Sequence, residues 1–145
     1  MLHCVLSKGS DSTMTIRKRP KRSNPEGIIH RAVWKHILQR GAPGLFAFHV
    51  PNGGKRGLRE AVNFKRMGVT PGVPDLVMFM RKPGQNDGPY IYTMEFKAPG
   101  KGLSERQLEV RSRLDSMGVF TAVCDSVEKA IRVLEAWGII RGTAQ

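Results

Sequence analysis

Apolar residues recur along this chain in two rhythms, and the switching between them predicts an alternating α/β order. Ile28, Ile29, Ala32, Val33, Ile37 and Leu38 fall at helical spacing. Asn24-Pro25-Glu26 precedes them as an N-cap with proline at the first helical position, so a helix is expected from Pro25 to about Arg40, stopped at Gly41. Leu45 to Val50 reads as a strand and Pro51-Asn52-Gly53-Gly54 as a turn or loop. Leu58 to Met67 suits a second helix, with Leu58, Ala61, Val62 and Lys65 on one side and Gly68 closing it. Val73 to Met80 and Tyr90 to Phe96 are β-rich runs. The segment between them, Lys82-Pro83-Gly84-Gln85-Asn86-Asp87-Gly88-Pro89, is dense in turn formers, so a long hairpin joins them.

Ser104 to Met117 makes a third helix between Ser104 and Gly118, Val119 to Cys124 a strand, and Asp125 or Ser126 caps a last helix through Trp137 that Gly138 ends. The order α-β-α-β-β-α-β-α implies an α/β fold, a mixed central β-sheet flanked by helices. Trp34 and Trp137 lie on helical faces and are expected in the core. Residues 1–23 are rich in Ser, Thr, Lys and Arg without periodicity, which reads as a disordered basic arm ahead of a single domain over 24–145. Met14 offers an alternative start.

Composition adds limits. The hydrophobic fraction of 40% and charged fraction of 25% are those of an ordinary globular protein, long enough to bury its own core. No apolar run approaches the ~20 residues of a membrane span, and no secretory pattern opens the chain. Cys4 and Cys124 form no CxxC or zinc spacing, so a reducing cytoplasm is expected. The net charge of +12 points to polyanionic partners. Residues 1–22 carry six basic groups and Asp11, a net +5, which leaves +7 on the remainder; the folded body is basic in its own right.

Acidic residues that persist in such a body need a reason. Val73-Pro74-Asp75 and Glu95-Phe96-Lys97 stand at the ends of the two hairpin runs. A turn centred near Gln85 pairs residues whose numbers sum to about 170, which sets Asp75 opposite Glu95, and opposed side chains on one sheet face have Cβ atoms ~5 Å apart. Glu95 and Lys97 share that face while Phe96 points into the apolar layer. Two carboxylates so placed suit a hard cation, Mg²⁺ or Mn²⁺, that takes oxygen ligands, water and phosphate. Lys97 beside them is placed to orient an attacking water and offset phosphate charge. Taken alone, E-x-K also describes a solvated strand face.

The ordered motifs Gly72-Val73-Pro74-Asp75-Leu76, Glu95-Phe96-Lys97 and Leu103-Ser104-Glu105-Arg106-Gln107 resemble the PD-(D/E)xK nucleases, in particular their VRR-NUC (virus-type replication-repair nuclease) branch. Pro51-Asn52-Gly53-Gly54 and Arg66 to Gly72 are similar to that branch's upstream segments, so the resemblance spans roughly Pro25 to Leu134 and looks like the stand-alone phage and bacterial form. It implies a restriction-endonuclease-like core and a metal-dependent endonuclease acting on DNA, duplex or branched, in replication, repair or recombination. By position, Asp75 and Glu95 become metal ligands with the Phe96 carbonyl a third. Lys97 becomes the catalytic lysine, and Glu26 the acidic residue completing the site. Gln107 matches a glutamine that positions water or phosphate. Glu26 also suits a helix N-terminus, and Ser104-x-x-Gln107 also matches a capping box.

Weaker candidates surround this set. Asn52, Lys55, Arg56 and Arg59 could contact phosphate around a close-approaching glycine loop, or be solvated charges on a connector. Lys101 and Arg106 flank the third helix and could grip the DNA backbone. His49, ahead of the loop, either faces the site or is structural. The small body suggests a homodimer for any substrate needing two cuts. The rival from another class is a non-catalytic basic DNA-binding protein, since charge alone serves it equally well.

Overall fold

The computed structural model describes residues 24–51 and 57–142. Eight elements follow in order: α1 (Pro25–Arg40), β1 (Leu45–His49), α2 (Leu58–Arg66), β2 (Leu76–Met80), β3 (Tyr90–Phe96), α3 (Glu105–Ser116), β4 (Phe120–Cys124) and α4 (Val127–Ala136). The caps fall where the sequence puts them. Asn24 accepts from the Gly27 N–H at the head of α1, Ser104 from Gln107 on α3, and Ser126 from Lys129 on α4. Each occupies an N–H that a helix start leaves without an intrahelical partner.

The strands form one mixed sheet in the order β1-β2-β3-β4, antiparallel except for β3 with β4. The β2–β3 register runs from Leu76↔Met94 to Met80↔Tyr90, the pairing expected of a turn centred near Gln85. Leu76, Met78 and Met80 point to one face with Tyr92, Met94 and Phe96. There Ile29, Val33 and Ile37 of α1 and Ala130 and Leu134 of α4 close the core. Trp34 and Trp137, expected in the core, pack half-buried against its rim. Alternation then sends Asp75, Val77, Phe79, Thr93 and Glu95 to the opposite face. α3 lies over the Thr93–Glu95 end of that face, lining a small cavity with Gln107 and Arg111.

Three strand boundaries differ from the sequence pattern. The first strand ends at His49 rather than Val50, and the fourth starts at Phe120 rather than Val119. β2 begins at Leu76 rather than Val73, because Pro74 has no N–H for the ladder and Gly72 turns the chain with φ +88°. One ladder-like bond still reaches back, from the Val50 N–H to the Asp75 carbonyl at 2.8 Å. α2 forms as expected but stands apart. No other described helix or strand runs close to it and Leu58 is 88% exposed, while Phe64 is half-buried. No described helix is long and apolar enough to cross a membrane. The proposed arm over 1–23 lies outside the described residues.

Gly72 is where the chain leading to Asp75 touches α3. A Cβ there would sit 2.8 Å from the Arg106 carbonyl oxygen, whereas at Gly84, with a similar positive φ, it would meet nothing. Gly84→Ala should cost about 1 kcal/mol from backbone strain alone. Gly72→Ala should cost roughly 2–4 kcal/mol, since backbone must also move. Thermal or denaturant unfolding measures both, and equal losses would show that the approach of Gly72 to α3 is slack.

Candidate active site

Four elements end at one corner of the sheet: the start of β2, the end of β3, and the first turns of α1 and α3. Asp75 is anchored through both backbone and side chain. Its carbonyl accepts from the Val50 N–H and lies 2.8 Å from His49 Nδ1, and its Oδ2 accepts from the Phe96 N–H at 2.9 Å. That last bond is the direct product of the hairpin register, since Asp75 is the position just beyond the Leu76↔Met94 pair. Asp75 and Glu95 thus stand next to each other on one sheet face.

Glu95 is 8% exposed and its Oε1 is engaged twice, by Lys97 Nζ at 3.1 Å and by Gln107 Nε2. Burial, and next the neighbouring Asp75 carboxylate, push its carboxyl up to about 7, although the hydrogen bond and charge of Lys97 pull the other way. Gln107 serves two ends at once. Its Oε1 accepts the Ser104 N–H in a capping box, which leaves its NH₂ group to donate to Glu95. The capping and site readings of Gln107 are therefore compatible.

Glu26 reaches from the first turn of α1 to the far end of β3, where its Oε1 accepts the Ala98 N–H at 3.3 Å. Together with Asp75, Phe96, His30 and His49 it lines a cavity of about 380 Å³. His30 has no role in the sequence reading. Its ring stacks on Phe96 with centroids 4.8 Å apart and meets His49 edge-on at 4.4 Å; burial, with His49 close by, lowers its pKa. The available signal was its position four residues after Glu26, on one helical face.

Lys101 and Arg106 are exposed around the start of α3. Arg59 stands on α2, beside a shallow cavity with Leu58, Val62, Asn63 and Arg66 that shares no residue with those around Asp75 and Glu95. Asn52, Lys55 and Arg56 lie outside the described residues.

The donor set fits a hard cation. It consists of oxygen: two neighbouring carboxylates whose mutual repulsion a cation would relieve, and Glu26 on the wall of the cavity that Asp75 and Phe96 line. Among the described residues no three His, Cys, Asp or Glu side chains enclose an ion by themselves. An open site of this kind suits Mg²⁺ or Mn²⁺, which keep several waters and substrate oxygens in their shell.

A family model described as the VRR-NUC domain matches residues 24–128. A solved structure described as a "VRR_NUC domain protein" is similar with a TM-score of 0.61 and 21% identity, covering 80% of this chain and 89% of that one. Another, a "VRR_NUC domain", has a TM-score of 0.53 and 17% identity over 79% of this chain and 99% of its own. At these identities the likeness is one of fold. No curated protein matches the chain.

The raised carboxyl has a sign that can be measured. Below its ordinary value of 4.5 Glu95 is protonated folded or unfolded and costs nothing; as pH rises from there to about 7 stability is lost, and it stays lost above. Lys97's attraction is already counted in that net direction. Glu95→Gln copies the protonated form, so it should leave metal-free stability unchanged at pH 4 and raise it by roughly 1–3 kcal/mol at pH 8. Denaturant unfolding at the two pH values reads this, and a destabilised variant at pH 8 would mean that the ion pair with Lys97 outweighs burial.

Proposed function

Because this chain belongs to the VRR-NUC domain family, a family of nucleases, we propose that it is a Mg²⁺- or Mn²⁺-dependent endonuclease hydrolysing DNA phosphodiester bonds. The observation that carries the reading is the juxtaposition of Asp75 with Glu95 and Lys97 by the β2–β3 register. In this proposal Asp75, Glu95 and the Phe96 carbonyl hold the cation and Glu26 closes the set from α1. When bound, the ion polarises the phosphoryl group and lowers the pKa of its water.

The chain's own groups do the rest. Gln107 and the ring of bonds around Asp75 fix the two carboxylates so that no reorganisation is needed when substrate arrives. Lys97 Nζ, held against Glu95, is placed to orient the attacking water and to donate to a phosphoryl oxygen as negative charge develops. Lys101 and Arg106, exposed beside the site, neutralise backbone phosphates. Among the described residues no Ser, Tyr or Cys side chain joins Asp75, Glu95 and Lys97, and in this reading the attack is direct and leaves no covalent enzyme intermediate.

A non-catalytic DNA-binding protein would share the basic body, but it gives no reason to place a costly buried carboxylate against a second one. A homodimer is the second part of the proposal. α2 is shorter than the ~12–15 residues at which isolated helices hold in water, no other described helix or strand runs close to it, and its Leu58 and Val62 are exposed. The β1–β2 face opposite α1 leaves Phe46 64% exposed, its ring 5.7 Å from Phe48 and 6.4 Å from Phe79. A second copy lets the uncovered helix of each chain cover the uncovered sheet face of the other.

Purified protein with Mn²⁺ should cut DNA, and Lys97→Ala should slow cutting by about 10²-fold or more while DNA binding persists. Millimolar Mn²⁺ should raise the melting temperature of the wild type and not of Asp75→Asn. Equal cutting by Lys97→Ala, or no metal shift in the wild type, would favour the DNA-binding reading. Light scattering should give twice the 16.1 kDa chain mass, and Phe48→Glu should halve it; a wild-type monomer removes the dimer.

A further inference from the structure

A groove runs along the seam between α1 and β1, leading away from the paired carboxylates. Its first chamber is the 380 Å³ cavity walled by Glu26, Asp75 and Phe96. The next, about 420 Å³, shares Gly27, His30 and His49 with the first and adds Arg31 and Trp34. Anything seated in the second chamber is therefore continuous with whatever lies at Asp75.

The walls of that second chamber are mostly rings. His30 and Trp34 are one turn apart on α1, and His49 faces them from the end of β1, its ring edge-on to His30 at 4.4 Å. Arg31 supplies one exposed cation. A phosphate site would converge several donors on one point. Flat aromatic walls with a guanidinium instead match a planar, polar-edged heterocycle, which stacks on rings and on Arg and offers its edges to imidazole nitrogens. The volume admits such a group with room to spare.

We propose that this chamber is a nucleobase subsite, taking one unpaired base of the strand whose phosphodiester lies at Asp75 and Glu95. The proposal rests on the nuclease reading and narrows its substrate. In a continuous duplex both faces of every base are already covered by stacked neighbours, so a base reaches Trp34 and His30 without the cost of leaving the stack only where pairing is already interrupted. DNA with unpaired nucleotides beside the cut is thus the preferred substrate over an unbroken duplex. Trp34 also packs against the core rim, so its ring serves both structure and binding.

The test reads binding in a protein that does not cut. A single-stranded oligonucleotide carrying 2-aminopurine, whose fluorescence is quenched by stacking, is titrated with Lys97→Ala protein. Its emission should fall on binding. Adding Trp34→Leu, which keeps apolar bulk against the core, should weaken single-strand binding about five- to tenfold. Adding the surface change Arg31→Ala should weaken it about threefold. Affinity for a continuous duplex of equal length should change less than twofold in both cases. Absence of quenching, or equal losses on single strand and duplex, overturns the subsite. Either result leaves the nuclease reading to its own test, because Lys97→Ala protein reports binding whether or not the wild type cleaves.

Discussion

The pairing register of β2 with β3 is the constraint on which the rest of this structure depends. Side chains alternate along a strand, so slipping that pairing by one residue would send Asp75 away from Glu95 and turn the core-facing methionines to solvent. The apolar alternation of Leu76, Met78 and Met80 against Tyr92, Met94 and Phe96 therefore holds the acidic pair in place indirectly. The core specifies the register, and the register specifies the site. The Phe96 N–H bond to Asp75 then adds a local lock at the last step.

Electrostatics at the corner works against folding. A buried carboxylate beside a second carboxylate is held near neutral pH as a proton acceptor that its single lysine only partly satisfies. Gln107 and Lys97 fix where the charge sits without removing it. Stability given up in this way at the proposed cation site follows the general pattern in which functional positions depart from what folding alone favours. The histidines behind Asp75 belong to the same economy of placement. His49 is 2.8 Å from the Asp75 carbonyl, while His30 fills the space between it and Phe96.

Much of this was legible in the residues. The hairpin register followed from the lengths of two apolar runs around a segment of turn formers, and the α1, α3 and α4 boundaries followed from caps and terminating glycines. What escaped did so for physical reasons. β2 starts three residues after the apolar pattern does, because Pro74 lacks a ladder donor while Val73 still looks like strand. His30 carries no signal until the fold brings Phe96 and His49 to it from two strands. α2 shows a plain amphipathic stripe, but the stripe says only that a partner is needed, and no described element supplies one. Gln107 matched two patterns, a cap and a site residue, and only three-dimensional geometry reveals that one side chain satisfies both.

The central claim is that the register makes Asp75 and Glu95 into one cation site. Electron paramagnetic resonance of Mn²⁺ titrated into the protein tests it without reference to any substrate. The wild type should bind Mn²⁺ tightly enough to deplete the free-ion signal, Asp75→Asn and Glu95→Gln should each lose most of that binding, and Lys97→Ala should keep it. Undiminished binding in both carboxylate variants would contradict the account.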